Sequence, residues 1–169
     1  MKALSIDNIN KKSPYIVREA TEKGFFEFFT DSNVHYSVGF MLDEETLRLK
    51  DCYELIIANV NNQKSPNDAK LRDTVIAIVD EFFRTNNSTM LYICETGDGK
   101  QAMRNRLFQF WFSTYCKKNA FTFMSSSIED DGVINYATLV VRNDNPNLSN
   151  IINAFTSTIQ LLSCKPEWN

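Results

Sequence analysis

The residues best suited to chemistry occur in one segment near the middle of the chain. The apolar stretch Met90–Cys94 predicts a strand, and the polar residues Glu95–Gly99 predict a turn. An aromatic helix is predicted to begin near Lys100. Residues 100–118 contain five Lys or Arg and no Asp or Glu. A glycine-containing turn that opens a helix presents backbone N–H groups to an anion. The segment therefore predicts an anion-binding turn, although no catalytic signature accompanies it.

Arg104 lies one turn inside this helix and, at 3.6 residues per turn, near the middle of an apolar face. That face consists of Met103, Leu107, Phe108, Trp111, Phe112 and Tyr115. A buried guanidinium needs a partner, because an unpaired buried charge costs on the order of several kcal/mol. We therefore expect Arg104 to be buried and paired with Glu95 or Asp98. Two interpretations stay open: a structural ion pair that fixes the turn, which is the commoner case, or a site for a substrate carboxylate or phosphate.

No other group of residues predicts a catalytic or metal site. The carboxylates of the acidic turns show no spacing that would converge on a divalent ion. The four cysteines contain no CxxC pair and lie far in sequence from the single histidine, which excludes a standard zinc site and argues against a disulfide framework. Cys94 and Cys116 occur in apolar surroundings and are expected to pack as small hydrophobic residues. We expect no bound metal.

Seven strands and three helices are predicted to position these residues. The strands are 15–20, 25–30, 34–42, 53–60, 90–94, 121–128 and 133–142, and the helices are 66–86, 100–118 and one from residue 145. Ser65 is expected to cap the first helix, with Pro66 in its first turn. The two strands joined through that helix should be parallel. The order β-β-β-β-α-β-α-β-β-α predicts an α/β (α+β) fold with a mixed sheet of about seven strands.

The whole chain predicts a single domain over residues 1–169, with residues 1–12 loosely ordered. Its net charge of −3 gives no overall attraction to nucleic acid or to an anionic membrane. The N-terminus lacks the apolar run of a signal peptide, and no stretch is apolar enough to span a bilayer. We expect a cytoplasmic protein with reduced thiols. Binding of a single-stranded nucleic acid by the basic helix is a weaker alternative.

The order of elements resembles that of GNAT-type acyl-CoA N-acyltransferases. Residues 61–70, Asn-Asn-Gln-Lys-Ser-Pro-Asn-Asp-Ala-Lys, stand where that family has its pyrophosphate-binding loop. The residues that the resemblance implies for cofactor binding are Gln63, Lys64 and Lys70. Both glycines of the family's loop are missing, Pro66 has no N–H to donate, and Asp68 repels a phosphate. We therefore expect acyl-CoA to bind poorly or not at all.

A second similarity lies at the end of the aromatic helix. Tyr115–Phe121 is similar to the Y-x-K-x-G-F helix end of the same family, with Asn119 in place of glycine. The resemblance implies that Tyr115 would act as a general acid, and Glu54 on the fourth strand is the candidate base. Because Tyr115 also falls on the buried face, simple packing is the competing interpretation.

Two functional classes follow from these observations. The favoured one is a non-catalytic binding or interaction protein with an acyltransferase-like fold and a degenerate cofactor loop. The alternative is a divergent N-acyltransferase that transfers an acyl group from acyl-CoA to an amine. The segments YICET, DG and RNRLF are also similar to a group of small uncharacterised bacterial proteins, which implies no function.

Overall fold

The computed structural model describes residues 1–94, 99–118 and 120–164. Within these residues, seven strands form a mixed sheet and four helices accompany them, which confirms a mixed α+β architecture. The strands are β1 (Arg18–Glu19), β2 (Phe25–Phe29), β3 (His35–Leu42), β4 (Cys52–Asn59), β5 (Thr89–Cys94), β6 (Phe121–Asp130) and β7 (Val133–Arg142). The helices are α1 (Ile6–Lys12), α2 (Ala69–Thr85), α3 (Gln101–Lys118) and α4 (Leu148–Ser163). None of these helices has the length and apolar character that crossing a bilayer requires.

The strand order is β1-β2-β3-β4-β5-β7-β6, and β4 pairs with β5 in parallel. Cys52 lies opposite Thr89 and Glu54 opposite Leu91, while α2 connects the two strands in the chain. The parallel pairing that the sequence predicted is therefore confirmed. The β6–β7 hairpin turns at Asp131–Gly132, where both residues have positive φ angles, as the predicted DG turn requires.

The chain divides into two compact units, and the first comprises Met1–Met41 and Leu55–Asn87. Aromatic side chains build its core. Phe40 stacks on Phe82 with ring centroids 4.2 Å apart, and both rings are buried. The many phenylalanines of the sequence thus serve as packing residues in this unit.

The N-terminal segment differs from the predicted loose state, because Ile6–Lys12 forms α1. The Ser5 hydroxyl caps this helix by accepting a hydrogen bond from the Asn8 N–H (3.3 Å), and Ile9 is fully buried. The Glu81 carboxylate of α2 accepts hydrogen bonds from the Ser5 N–H (3.1 Å) and from the Asn8 amide (3.5 Å). Tertiary contacts with α2 therefore stabilise a helix that is too short to form by itself.

The start of α2 also differs from the prediction. Asp68 rather than Ser65 is the N-cap, and its carboxylate accepts a hydrogen bond from the Lys70 N–H (2.8 Å). The Asp68 carboxylate accepts a second one from the Tyr15 hydroxyl (2.6 Å), whereas the Ser65 hydroxyl accepts from Tyr36 (2.7 Å). A carboxylate is the better cap because it also interacts favourably with the positive end of the helix dipole.

The second unit comprises residues 42–54 and the chain from Ser88 onward. Leu91 of β5 belongs to a buried cluster with Phe155 of α4, whereas Tyr92 stacks on Phe108 of α3 with ring centroids 4.0 Å apart. Successive residues of a strand point to opposite faces of a sheet. Therefore α3 and α4 cover opposite faces of the strands in this unit.

Three of the four cysteines are buried, and only Cys164 is exposed. Burial raises the pKa of the Cys52 thiol and of the Cys116 thiol to about 12, and it raises the pKa of the Cys94 thiol as well. These thiols are protonated at neutral pH. The prediction that Cys94 and Cys116 pack as small hydrophobic residues is confirmed.

Candidate functional site

The inner face of α3 packs on the sheet and differs from the face that the sequence predicted. Its buried residues are Asn105, Phe108, Phe112, Tyr115 and Cys116. Phe108 is the centre of this packing, because it stacks on Tyr92 (4.0 Å), Phe112 (4.3 Å) and Phe123 (6.4 Å). Arg104 lies at the edge of this face and is half-buried, so the prediction that it occupies the middle is wrong.

The outer face of α3 carries large apolar side chains in contact with solvent. Met103 is 53% exposed, Leu107 is 42% exposed and Phe110 is 68% exposed. Their spacing of four and three residues places them on one side of the helix, and we call these three residues the outer stripe. Lys100 and Arg106 are exposed beside it. The site is therefore an apolar strip with basic groups at its margins.

Residues 95–98 of the predicted anion-binding turn lie outside the described part of the chain, whereas Arg104 is described in α3. Tyr92 and Cys94 are the titratable residues at the end of β5, and the positive charge of Arg104 opposes the rise in the pKa of each. Burial, together with the hydrogen-bonded Cys94 thiol, raises the pKa of the Tyr92 hydroxyl against the opposing effect of Arg104. Both groups are therefore neutral near pH 7. Glu95 and Asp98 lie outside the described residues, so their ion pair with Arg104 stays a prediction.

The structure does not bring the two candidate catalytic residues together. Tyr115 is on the inner face of α3, where it stacks on Phe121 with ring centroids 5.4 Å apart. Glu54 lies opposite Leu91 in the parallel pair, and Leu91 points toward the α4 side of the sheet. Directly paired residues share a face of the sheet. The proposed acid and base are therefore on opposite faces.

The candidate cofactor residues lie in and beside the exposed loop before α2. Lys64 is exposed, and the Gln63 carbonyl accepts a hydrogen bond from the Asn59 amide (2.8 Å). The Lys70 ammonium donates to the Asp31 carboxylate (2.7 Å), and this hydrogen bond raises the pKa of Lys70. The carboxylates of Asp68 and Asp31 therefore lie where the resemblance implies a pyrophosphate.

Sequence reasoning missed the outer stripe. The signal that could have revealed it was present, because the large apolar residues of α3 cover more than half of its circumference, and Arg106 and Ser113 lie on the remainder. Such a helix offers more apolar surface than one side of a sheet can cover. The surplus forms a second, solvent-facing side of α3 and does not widen the buried face.

The comparisons with known proteins add one result. A family model described as "Family of unknown function (DUF6169)" matches residues 67–157, a region that includes α2, α3 and the β6–β7 hairpin. No curated protein matches the chain.

Proposed function

Because this chain belongs to the DUF6169 family, whose description assigns no function, we propose a function from its geometry. It is a non-catalytic interaction protein, and the outer stripe of α3 binds an acidic amphipathic helix of a partner protein. The observation that carries this proposal is the exposure of Met103, Leu107 and Phe110 on a helix whose other side already packs on the sheet.

The apolar character of α3 supports an interaction surface. An apolar arc wider than half of the helix circumference is more than packing on one side of a sheet requires. The inner side of α3 is covered by its own sheet, so a partner must supply the cover for the outer stripe. The i, i+4, i+7 spacing of the outer-stripe residues places them on one side of the helix, the pattern by which an amphipathic helix binds an apolar partner surface.

The charges beside the outer stripe determine which kind of partner helix can bind there. Residues 99–118 contain no Asp or Glu, and Lys100 and Arg106 are exposed next to the apolar residues. Complementary charges at the rim of an interface favour the right partner and disfavour the wrong one. The partner helix should therefore carry a short apolar ridge flanked by Asp and Glu.

A displayed library of amphipathic helical peptides of about 20 residues tests this proposal. The wild-type protein is expected to enrich peptides with an apolar ridge and acidic flanks. Phe110→Ser should weaken binding of those peptides by about tenfold or more, since an aromatic anchor at the centre of an interface carries much of its energy. Ile16→Ser is the matched control, because Ile16 is 74% exposed and lies far from α3 in the chain.

Three outcomes would overturn the proposed interaction. Enrichment of basic or neutral peptides would contradict the charge argument. Equal effects of Phe110→Ser and Ile16→Ser would show that the outer stripe is not the binding surface. Binding of anionic vesicles or of a single-stranded oligonucleotide, without enrichment of any peptide, would assign the surface to a membrane or to nucleic acid instead.

A GNAT-like core remains part of the proposal, and a divergent N-acyltransferase is the second candidate function. The parallel β4–β5 pair joined through α2, followed by a helix and a hairpin, supports that relationship. The separation of Tyr115 from Glu54 and the carboxylates at the start of α2 argue against catalysis.

We expect acetyl-CoA to show no measurable binding in isothermal titration at low salt. Asp68 already fills the N-terminus of α2, and Asp31 pairs with Lys70, so a pyrophosphate would meet two negative charges. A dissociation constant in the micromolar range or tighter would favour the acyltransferase over the interaction protein. The control is a titration with ADP, which carries a pyrophosphate without the pantetheine and acyl groups.

A further inference from the structure

The two edges of the sheet differ in length and in charge. One edge is β1, which consists of only two residues, Arg18 and Glu19, and both are exposed. The other edge is β6, which has ten residues and is therefore about 33 Å long. Proteins commonly prevent pairing at a sheet edge by a short strand, by charged side chains or by proline. Residues 121–128 of β6 contain no charged residue and no proline, so these devices protect β1 but not this part of β6.

One side of β6 is open to pairing. Within the described part of the chain, β7 is the only strand that pairs with β6, and β6 is the last strand in the sheet order. In an antiparallel sheet, the backbone N–H and C=O groups of successive residues point alternately to the two sides of the strand. Ser125, Ser127 and Glu129 are exposed along β6. A strand from another chain that adds to this edge would therefore satisfy the outward-pointing backbone groups.

The side-chain sizes along β6 fit a second copy of the same strand. Large residues such as Phe123 and Met124 occur in its first half, and three serines follow them. In an antiparallel pair of β6 strands centred on Ser125, Phe123 lies opposite Ser127 of the second copy and Met124 lies opposite its Ser126. Each large side chain therefore meets a small one, since directly opposed residues share a face of the sheet. Phe123 faces α3 and Met124 faces α4, so both faces of the sheet continue into the second copy.

Charge favours the antiparallel orientation. Glu129, near the end of β6, is exposed. In an in-register parallel pair the two Glu129 side chains would be neighbours, and like charges directly opposite each other are destabilising. In the antiparallel pair Glu129 lies opposite Phe121 of the second copy, and the two Glu129 residues are about 27 Å apart along the strands. The match of size and charge is thus a property of β6 paired with itself, which favours a second copy over an unrelated peptide.

We propose that two copies of this chain form a dimer in which their β6 strands pair antiparallel, centred on Ser125. Such a pair has two-fold symmetry, because each copy presents the same edge to the other. Ser125 suits the centre, since its hydroxyl accepts a hydrogen bond from the Gln109 amide (2.9 Å) and shares a second with the Thr138 hydroxyl (3.0 Å). The interface uses no residue of the outer stripe, so it does not depend on the proposed partner helix.

Cysteine cross-linking of the intact chain tests the register. All variants carry Cys164→Ser, because Cys164 is exposed. Ser125→Cys places the two introduced thiols opposite each other at the symmetry axis, with Cα atoms about 5 Å apart, a separation that a disulfide spans. Ser127→Cys is the matched control, because its two thiols would be about 13 Å apart along the strands, too far for a disulfide. In a glutathione buffer the first variant is expected to form a covalent dimer, and the second is expected to stay a single chain.

Sedimentation equilibrium measures the dimer without a cross-link. The wild type is expected to reach twice the chain mass of 19.5 kDa at micromolar concentrations. Ser127→Lys adds the kind of edge charge that blocks strand pairing, and it should raise the dissociation constant of the dimer by about tenfold or more. Ser32→Lys makes the same change at an exposed position in the turn after β2, and it should leave the dimer unchanged.

Three results would overturn the proposed dimer. The first is a wild type that remains monomeric at its highest soluble concentration, and the second is equal cross-linking of Ser125→Cys and Ser127→Cys. The third is a dimer that Ser127→Lys leaves intact and Phe110→Ser dissociates, because that result would assign the contact to the outer stripe. The cysteine substitutions alter exposed side chains only slightly, so the cross-linking result does not depend on whether Ser127→Lys folds.

Discussion

Replacing Glu81 with alanine is expected to lower the free energy of unfolding by about 3 kcal/mol near neutral pH. Glu81 is only 3% exposed, and its carboxylate accepts two hydrogen bonds from Arg84, of 2.6 and 2.7 Å. The Arg84 hydrogen bonds, assisted by those from Ser5 and Asn8 and opposed by burial, lower the pKa of Glu81 to about 2. Alanine would remove the acceptor that holds α1 against α2.

The pH dependence of this stabilisation has a definite sign. A glutamate in the unfolded chain has a pKa of about 4.3, so the folded protein binds the Glu81 proton less readily than the unfolded chain does. The stabilisation is therefore present above about pH 4.3 and is lost as the pH falls toward 2. Urea unfolding gives the free energy of unfolding of the wild type and of Glu81→Ala. The difference between these two free energies should become smaller as the pH falls from neutral to acidic.

Asp80→Ala is the matched control for this experiment. Asp80 also links α2 to α1, through an ion pair with Lys12 of 2.5 Å, but the Lys12 side chain is 60% exposed. An exposed ion pair contributes at most about 1 kcal/mol, so this variant should lose far less stability. Equal losses in the two variants, or a Glu81→Ala loss that is independent of pH, would contradict the assigned role of Glu81.

The second large effect is expected for Phe108→Ala, which should cost about 4 kcal/mol of unfolding free energy. Phe108 is 2% exposed and stacks on three other rings, from β5, α3 and β6. Its removal leaves a cavity that rigid neighbouring rings cannot fill. Thermal and urea unfolding of the purified variant measure the loss.

Phe110→Ala is the natural comparison, since it removes the same ring two residues further along α3. Phe110 is 68% exposed, so its loss should change stability by less than about 0.5 kcal/mol. A large destabilisation by Phe110→Ala would mean that the outer stripe is part of the folded core. A small effect of Phe108→Ala would show that the ring stack does not hold α3 to the sheet.

The sequence was most informative where periodicity is strict. The alternation along His35–Leu42 predicted β3 to within one residue, and the amphipathic pattern around α2 predicted the parallel pairing of its flanking strands. In both cases a single buried face dominates the pattern, so local sequence and tertiary packing agree.

The sequence was least informative where distant contacts decide the structure. In α1 only Ile9 is buried, and the helix depends on Glu81, 76 positions after Ser5 in the chain. In α3 the apolar residues cover more than half of the helix circumference, so the period could not distinguish the face that packs on Tyr92 from the face that carries Phe110.

The cysteines differ in exposure, so the rates at which their thiols are labelled can report on local opening of the fold. Under native conditions a thiol-specific reagent should modify Cys164 first, because that thiol is exposed. The remaining three thiols react only in molecules that have transiently opened, so their labelling rates count opening events. Cys52 and Cys94 report on neighbouring parallel strands and Cys116 reports on α3. Mass spectrometry of the labelled chain can therefore tell whether the helix leaves the sheet before the strands separate.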